Sequence, residues 1–562
     1  MATTLADEPR QDFGAPGGAT HDVTNQPPPL TPYDASEDTA LLEGLRREGG
    51  GWAEGELRRV GRLAGSAQVQ EWSDQANRHE PELRTHDRYG TRVDEVEFHP
   101  SWHHLMGAAV AEGLAAAPWA DDRPGAHVVR TAKGLVWGHT EAGHGCPTSM
   151  TYAAVPALRR QPELAEVYEP GLTSREYEPG LRVPAGKRGL LAGMGMTEKQ
   201  GGSDVRTNST LAVAGAGPVP GAASRLTGHK WFCSAPMSDG FLMLAQAPGG
   251  LTCFVVPRVL DDGSVNPFAI QRLKDKLGNR SNASSEVELD GTWASRLGDE
   301  GRGVRTIIDM VAATRLDCVL GSAATMRAAL TRAVHHTRHR SAFGAVLVDQ
   351  PLMRAVLADL AVESEAATLL GMRLAHAVDQ GESAFLRLAV AAAKFWVCKR
   401  TPPMVAEALE CLGGNGYVEE NGLARLYREA PLNSIWEGSG NVNALDVLRA
   451  VGREPLAVEA LDMELAQARG LDRRVDAAVD RTLIAMRAAM SADPVDSQLG
   501  ARRVVQDLAV ALQAALVLQY SPSVVAETFV ASRLGDADGR VFGTLPVGAA
   551  AAKEVVDLAF AG

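Results

Sequence analysis

Apolar residues recur along this chain with two different periods, and the changes of period divide it into blocks. From about 37 to 182 the spacing is helical, in long Ala/Leu/Glu/Arg-rich runs. Trp102, Leu105, Met106, Val110 and Leu114 share one face there, with His103 and His104 beside it as packed or surface imidazoles. From about 190 to 297 Gly, Ser, Thr and Val dominate and the apolar runs shorten. Stretches 241–250, 251–257 and 284–291 read as strands separated by turns. After Gly303 the helical period returns. Leu386, Val390, Ala393 and Val397 form one core stripe, and Ala-rich stretches at 310–335, 350–380, 384–411 and 438–452 make four long helices, a bundle count.

A further helical block runs from about 453 to the C-terminus. The expected fold is mainly α with a central β domain. Its parts are a flexible tail (1–20), a helical domain (21–188), a β domain (189–298), a helical bundle (299–450) and a C-terminal helical domain (451–562). Three consecutive prolines within 21–30 make that segment extended, the kind that runs over a surface or a subunit neighbour.

Composition narrows the class. At 562 residues the chain is too long for a single core. It has 56 Lys and Arg against 69 Asp and Glu, a net charge of −13. That argues against wholesale coating of a polyanion and leaves only a local basic face open. Cys146, Cys233, Cys253, Cys318, Cys398 and Cys411 show no CxxC spacing. They read as reduced, packed thiols of a cytoplasmic protein, neither a disulfide framework nor a zinc site. No apolar window approaches the ~18 residues of a membrane span. The acidic, Pro- and Gly-containing N-terminus has no apolar signal-peptide core.

Five stretches carry candidate chemistry. In NSIWEGSGN, 433–441, one carboxylate, Glu437, sits on a Gly-loosened turn behind Trp436, among polar residues. Such a turn can aim a carboxylate into a cavity and leave backbone N–H groups free for a ligand. In MGMTEKQGGSDV, 194–205, Thr197 and Ser203 bracket a turn suited to the polar edge of a heterocycle or a phosphate. GHKWFCSAPMSDGF, 228–241, sets Phe232 and Ser234 on a strand-like run, an aromatic face and a hydroxyl for a flat ligand. HRSAFG, 339–344, brings Arg340 and Phe343 together ahead of Gln350, a bidentate clamp for a diphosphate. ECLGGNGY, 410–417, lets the backbone at Gly413 and Gly414 approach a phosphate closely. Each alone also reads as an ordinary turn, half-buried strand or helix cap. No GxGxxG within a βαβ unit supports a dinucleotide fold. His335 and His339 share a helix face but have no third metal ligand nearby.

In order and spacing these five stretches resemble the acyl-CoA dehydrogenase flavoproteins over about 190–450. The resemblance implies a helical domain, a β-barrel-like middle domain and a four-helix bundle, with FAD as cofactor and an acyl-CoA substrate. It makes Glu437 the catalytic base, taking the α-proton while a β-hydride passes to the flavin. It implies that Met196, Thr197 and Ser203 contact the flavin edge, and that Phe232 and Ser234 lie over the ring. Trp436, Ser439 and Asn441 become cofactor contacts. Arg340, Phe343, Gln350, Gly413 and Gly414 become contacts that reach FAD from a neighbouring subunit, in at least a dimer and commonly a homotetramer. The family's second base position falls at Thr314, which is no carboxylate.

The opening segment, the RLKDKLGNRSNASSEVEL stretch and the extra C-terminal block are similar to the AidB-like subgroup, flavoproteins of the bacterial alkylation response. That likeness implies double-stranded DNA binding, protection against alkylation, and weak isovaleryl-CoA dehydrogenase activity, with an active acyl-CoA dehydrogenase or flavin oxidase as the alternative. Arg449, Arg473, Arg474, Arg502 and Arg503 are the candidate DNA contacts, although 451–562 holds 11 basic and 15 acidic residues.

Overall fold

The computed structural model describes residues 21–214, 221–535 and 541–560; the tail expected over 1–20 lies outside them. The chain opens with α1 (Thr39–Arg47), α2 (Glu54–Ala64) and α3 (Ala67–Arg78). Asp38 and Ser66 start α1 and α3 by accepting hydrogen bonds from the first-turn N–H groups of Leu41 and Val69. A hairpin follows, β1 (Glu82–His86) and β2 (Arg92–Glu97), then α4 (Pro100–Ala111), α5 (Ala126–Trp137), α6 (Gly145–Leu158) and α7 (Pro162–Leu172). The apolar stripe from Trp102 to Leu114 is buried.

The hairpin corrects the expectation of uninterrupted helix over 37–182. Asp87 accepts the N–H groups of Tyr89 and Thr91 at 2.8 and 2.9 Å, and Gly90 takes a left-handed φ of 85°. That turn chemistry reverses the chain where helical propensity alone does not.

The middle of the chain is a seven-stranded sheet: β3 (Ala192–Gly195), β4 (Leu211–Ala214), β5 (Ala223–Ser234), β6 (Gly240–Ala247), β7 (Gly250–Pro257), β8 (Ala269–Leu273) and β9 (Ser284–Leu297). The order is β3-β6-β4-β5-β9-β7, with β8 on β9. Because β6 also pairs with β7, strands β4, β5, β9, β7 and β6 close into a ring. Inside the ring Lys230 and Glu198 form a fully buried ion pair at 2.7 Å, and Glu198 also accepts from Ser209 and Thr210. The pair fixes the turn that follows Thr197.

The bundle begins with α8 (Gly303–His339), whose 37 residues span about 55 Å at ~1.5 Å per residue. A two-stranded hairpin, β10 (Ser341–Ala342) and β11 (Ala345–Val346), leads to α9 (Pro351–Asp379), α10 (Ser383–Glu410), α11 (Leu423–Glu429) and α12 (Gly440–Arg453). Helices α13 (Pro455–Ala466), α14 (Arg473–Ser491), α15 (Pro494–Tyr520), α16 (Ser523–Leu534) and α17 (Ala549–Ala559) complete the chain. This C-terminal block is ionically locked to the bundle. Arg533 of α16 reaches Asp359 at 2.6 Å and Glu363 at 2.8 Å on α9, and Arg400 of α10 shares Glu363. All six cysteines are buried and free. No helix among the described residues is long and apolar enough to cross a membrane.

Candidate active site

The loop between α11 and α12 is shaped by its own polar residues. Asn433 accepts the Trp436 indole N–H at 2.9 Å, which folds the indole back over the turn. Asn443, on the first turn of α12, donates to the carbonyls of Gly438 and Ser439. Glu437 and Gly438 then both take left-handed conformations, φ 58° and 94°. For Gly438 this is free; for Glu437 it is strain, which persists only where the surroundings over-determine it.

The strained turn brings the Glu437 carboxylate to α8. Thr314 donates its hydroxyl to Glu437 Oε2 at 2.6 Å, and Arg315 donates Nε–H to the Glu437 carbonyl at 3.0 Å while pairing with Asp446 at 2.6 Å. The position that lacks a second carboxylate therefore supplies the hydroxyl that holds the one present. Burial pushes the Glu437 carboxyl above the usual carboxylate range; the Thr314 hydrogen bond and the Lys394 and Arg315 charges draw it part of the way back. Trp436, Met194, Met196 and Ala313 pack against the buried Cys146, Met150 and Met310 in one apolar cluster beside this carboxyl. The Cys146 thiol is pushed up to about 12, mainly by burial, and it lies against Asn282 and Ser234 and feels the Glu437 charge. Ser234, at the end of β5, is thus on the same side of the molecule as Glu437.

The other candidate residues fall into two groups. Met196 and Thr197 give their carbonyls to Asn208 and to Trp231 N–H, so the turn after β3 is tied to β5. Ser203 is exposed on that turn, and Phe232 is 49% exposed on β5. Arg340, Gly413 and Gly414 line one cavity of about 370 Å³ at the far end of α8. Phe343 (φ 51°) and Gly344 (φ 81°) are the two central residues of the β10–β11 turn. A tight turn with two positive φ angles ordinarily takes Asn-Gly; here it throws Phe343 outward, 100% exposed. Gln350 donates to the Ala342 carbonyl at 3.0 Å and braces that turn. The 21–30 segment crosses the same end: the Asn25 side chain exchanges two 2.8 Å hydrogen bonds with the Ser341 backbone, and its carbonyl accepts from Arg340. Thr314 and Arg340 stand about 39 Å apart along α8.

Residues 25–179 match the adaptive response protein AidB N-terminal domain, 193–292 the acyl-CoA dehydrogenase middle domain and 301–452 the acyl-CoA dehydrogenase C-terminal domain. The chain is 47% identical over 469 residues to the putative acyl-CoA dehydrogenase AidB of Escherichia coli K12, covering 82% of this chain and 86% of that protein. It belongs to the acyl-CoA dehydrogenase family, in the AidB-like branch. It is also 31% identical over 446 residues to acyl-CoA dehydrogenase family member 11 of Caenorhabditis elegans, covering 76% and 71% of the two chains. The crystal structure of the C. elegans protein ACDH-11 in complex with C11-CoA superposes with a TM-score of 0.83 at 27% identity and 97% coverage of both chains. Members of this family are oxidoreductases acting on CH–CH groups.

The arginines singled out for DNA in this AidB-like chain are unequal. Arg474 is held by Asp472 and Glu527, both at 2.6 Å. Arg502 donates to Asn441 Oδ1 at 3.1 Å, on the first turn of α12, and sits 5.5 Å from the Phe395 ring. Arg449 pairs with Asp446 at 3.3 Å and Arg503 with Asp507 at 3.6 Å, both with exposed side chains, and Arg473 is exposed. Among the described residues no group of three His, Cys, Asp or Glu is placed to hold a metal ion.

Sequence reasoning missed Lys394, Arg315 and Asn443, which build the loop. For Lys394 a signal existed: a lone lysine inside AVAAAKFWV, a run otherwise apolar.

Proposed function

We propose that this chain is an FAD-dependent AidB-like flavoprotein whose Glu437 loop dehydrogenates a short branched acyl-CoA, isovaleryl-CoA being the model substrate. The observation that carries the reading is the Glu437–Thr314 pair: a single carboxylate with raised pKa, held by one hydroxyl at the edge of an apolar cluster. A base in that setting is better matched to a weakly acidic α-proton than a solvent-exposed carboxylate is. Glu437 Oε1 takes the α-proton while Thr314 keeps Oε2 in place. The Glu437 backbone N–H is the donor for the thioester carbonyl oxygen, where negative charge develops. Trp436 and Met196 pack with Met310 in the apolar cluster beside the loop.

The far end of α8 fits the proposed cofactor. Gly413 has open space where a Cβ would stand, so the backbone there can be approached closely. Arg340 supplies a diphosphate-matching charge beside it, and Phe343 and Tyr417, 100% and 82% exposed, have no cover from their own chain. FAD, when bound, supplies the hydride-accepting chemistry. The distance between the two groups of residues supports a site completed between copies, with Arg340, Phe343, Gln350, Gly413 and Gly414 serving a neighbour in a dimer or homotetramer. A cytoplasmic location accompanies this reading.

Anaerobic addition of isovaleryl-CoA to the yellow holoprotein is expected to bleach the flavin band; an unchanged spectrum with this and longer acyl-CoA thioesters overturns the dehydrogenase reading. A second reading, duplex-DNA binding and protection against alkylation, is favoured by the match to the adaptive-response domain, and rests on Arg449, Arg473 and Arg503. It requires a gel shift that weakens steeply as salt rises; no shift at low salt removes it.

A further inference from the structure

Lys394 lies in the middle of α10 and is 1% exposed. An ammonium has three N–H donors, and burying it is costly unless all are taken. Lys394 Nζ donates to the carbonyls of Asn433 at 3.0 Å, Trp436 at 2.8 Å and Gly438 at 2.8 Å. Every acceptor belongs to the loop that carries Glu437.

The backbone dihedrals of Glu437 are the relative orientation of the two peptide groups that flank it. The carbonyl of the first, Trp436 O, is held by Lys394; the carbonyl of the second, Glu437 O, is held by Arg315 at 3.0 Å. Asp446 anchors Arg315 in turn. The left-handed φ of 58° is thus imposed from α10 on one side and α8 on the other.

We propose that Lys394 is a positioning residue for Glu437, its buried ammonium fixing the strained peptide that aims the carboxylate. The proposal rests on the reading of Glu437 as the base. Because its three protons go to neutral carbonyls, Lys394 also leaves a positive charge facing the site. The charged and titratable groups there are Glu437 on the loop, Lys394 on α10, Arg315 and Cys318 on α8, Asp446 on α12 and Cys146 on α6. Removing the Lys394 charge leaves burial, the Thr314 hydrogen bond and Arg315 to set the Glu437 titration.

The test uses the holoprotein and the variants Lys394→Met, Lys394→Gln and Lys394→Arg. Amide hydrogen exchange of the peptide covering 433–439 is expected to speed up about tenfold or more in the methionine variant, and to return toward wild type in the arginine variant. Peptides from α8 and α9 should stay unchanged. If the methionine variant fails to fold, the glutamine variant, which keeps two donors, carries the same comparison. The pH midpoint of isovaleryl-CoA bleaching is expected to rise by about one unit on loss of the charge and to recover with arginine. Unaltered loop exchange overturns the proposal. If wild-type protein is not bleached at all, the reaction assigned to Glu437 fails, while the exchange comparison still decides the role of Lys394.

Discussion

At its Thr314 end, α8 meets a loop whose polar groups are paired within the chain: the Glu437 carboxylate by Thr314, the Glu437 carbonyl by Arg315, the neighbouring carbonyls by Lys394. At its Arg340 end the same helix runs out into a tight turn with Phe343 fully exposed, and Gly413 and Gly414 lie exposed beside it. One end is braced by its own chain; the other presents a fully exposed aromatic ring, with Arg340 beside it held by the Asn25 carbonyl. Both ends hold non-glycine residues at positive φ, Glu437 and Phe343, so strain marks each. On the proposed reading, this one helix carries two half-sites of opposite character, with chemistry at the first and docking at the second.

Substitutions at the two ends should separate accordingly. Glu437→Gln removes the base while leaving its shape. Bleaching by acyl-CoA is expected to slow by roughly 10²–10⁴-fold with the flavin retained, read by stopped-flow absorbance. Arg340→Ala acts at the open end. Loss of its charge-assisted hydrogen bonds is expected to weaken FAD retention about 10–100-fold, read by released flavin fluorescence, with Glu437 chemistry intact in protein saturated with FAD. Thr314→Val has the smallest expected effect. Its hydroxyl stabilises the ionised carboxyl, so removing it raises the Glu437 pKa further; the base must be ionised to act, and the bleaching profile moves to higher pH by about one unit. A profile shifted to lower pH would contradict the hydrogen bond seen between them.

How much of this was legible in the chain depended on range. The four bundle helices appeared as Ala-rich runs because a helix buries a stripe of near neighbours, and α8, α9, α10 and α12 cover those stretches. The FG turn was recognised as a motif, and its geometry explains it: only a two-residue turn with positive φ throws Phe343 clear. The β1–β2 hairpin was hidden because its strands are short and charged, and only Asp87 and Gly90 mark the reversal. Lys394 was missed because its acceptors lie on a different element, more than a helix length further along the chain. Arg502 reads as a candidate DNA contact for the same reason, since its partner Asn441 is on another element, the first turn of α12. Local pattern reports which face is buried; it does not report what a buried charge finds there.

The central claim is that the two ends of α8 serve different copies of one site. Mixing Glu437→Gln and Arg340→Ala chains before assembly tests it directly. In random mixed oligomers at limiting FAD, about a quarter of the sites then pair an intact Glu437 with an intact Arg340 from a neighbour, and acyl-CoA bleaching should reappear in that fraction. If each half-site served its own chain, no mixed oligomer would contain an intact site, and at that FAD concentration the mixture would bleach no more than its two parents.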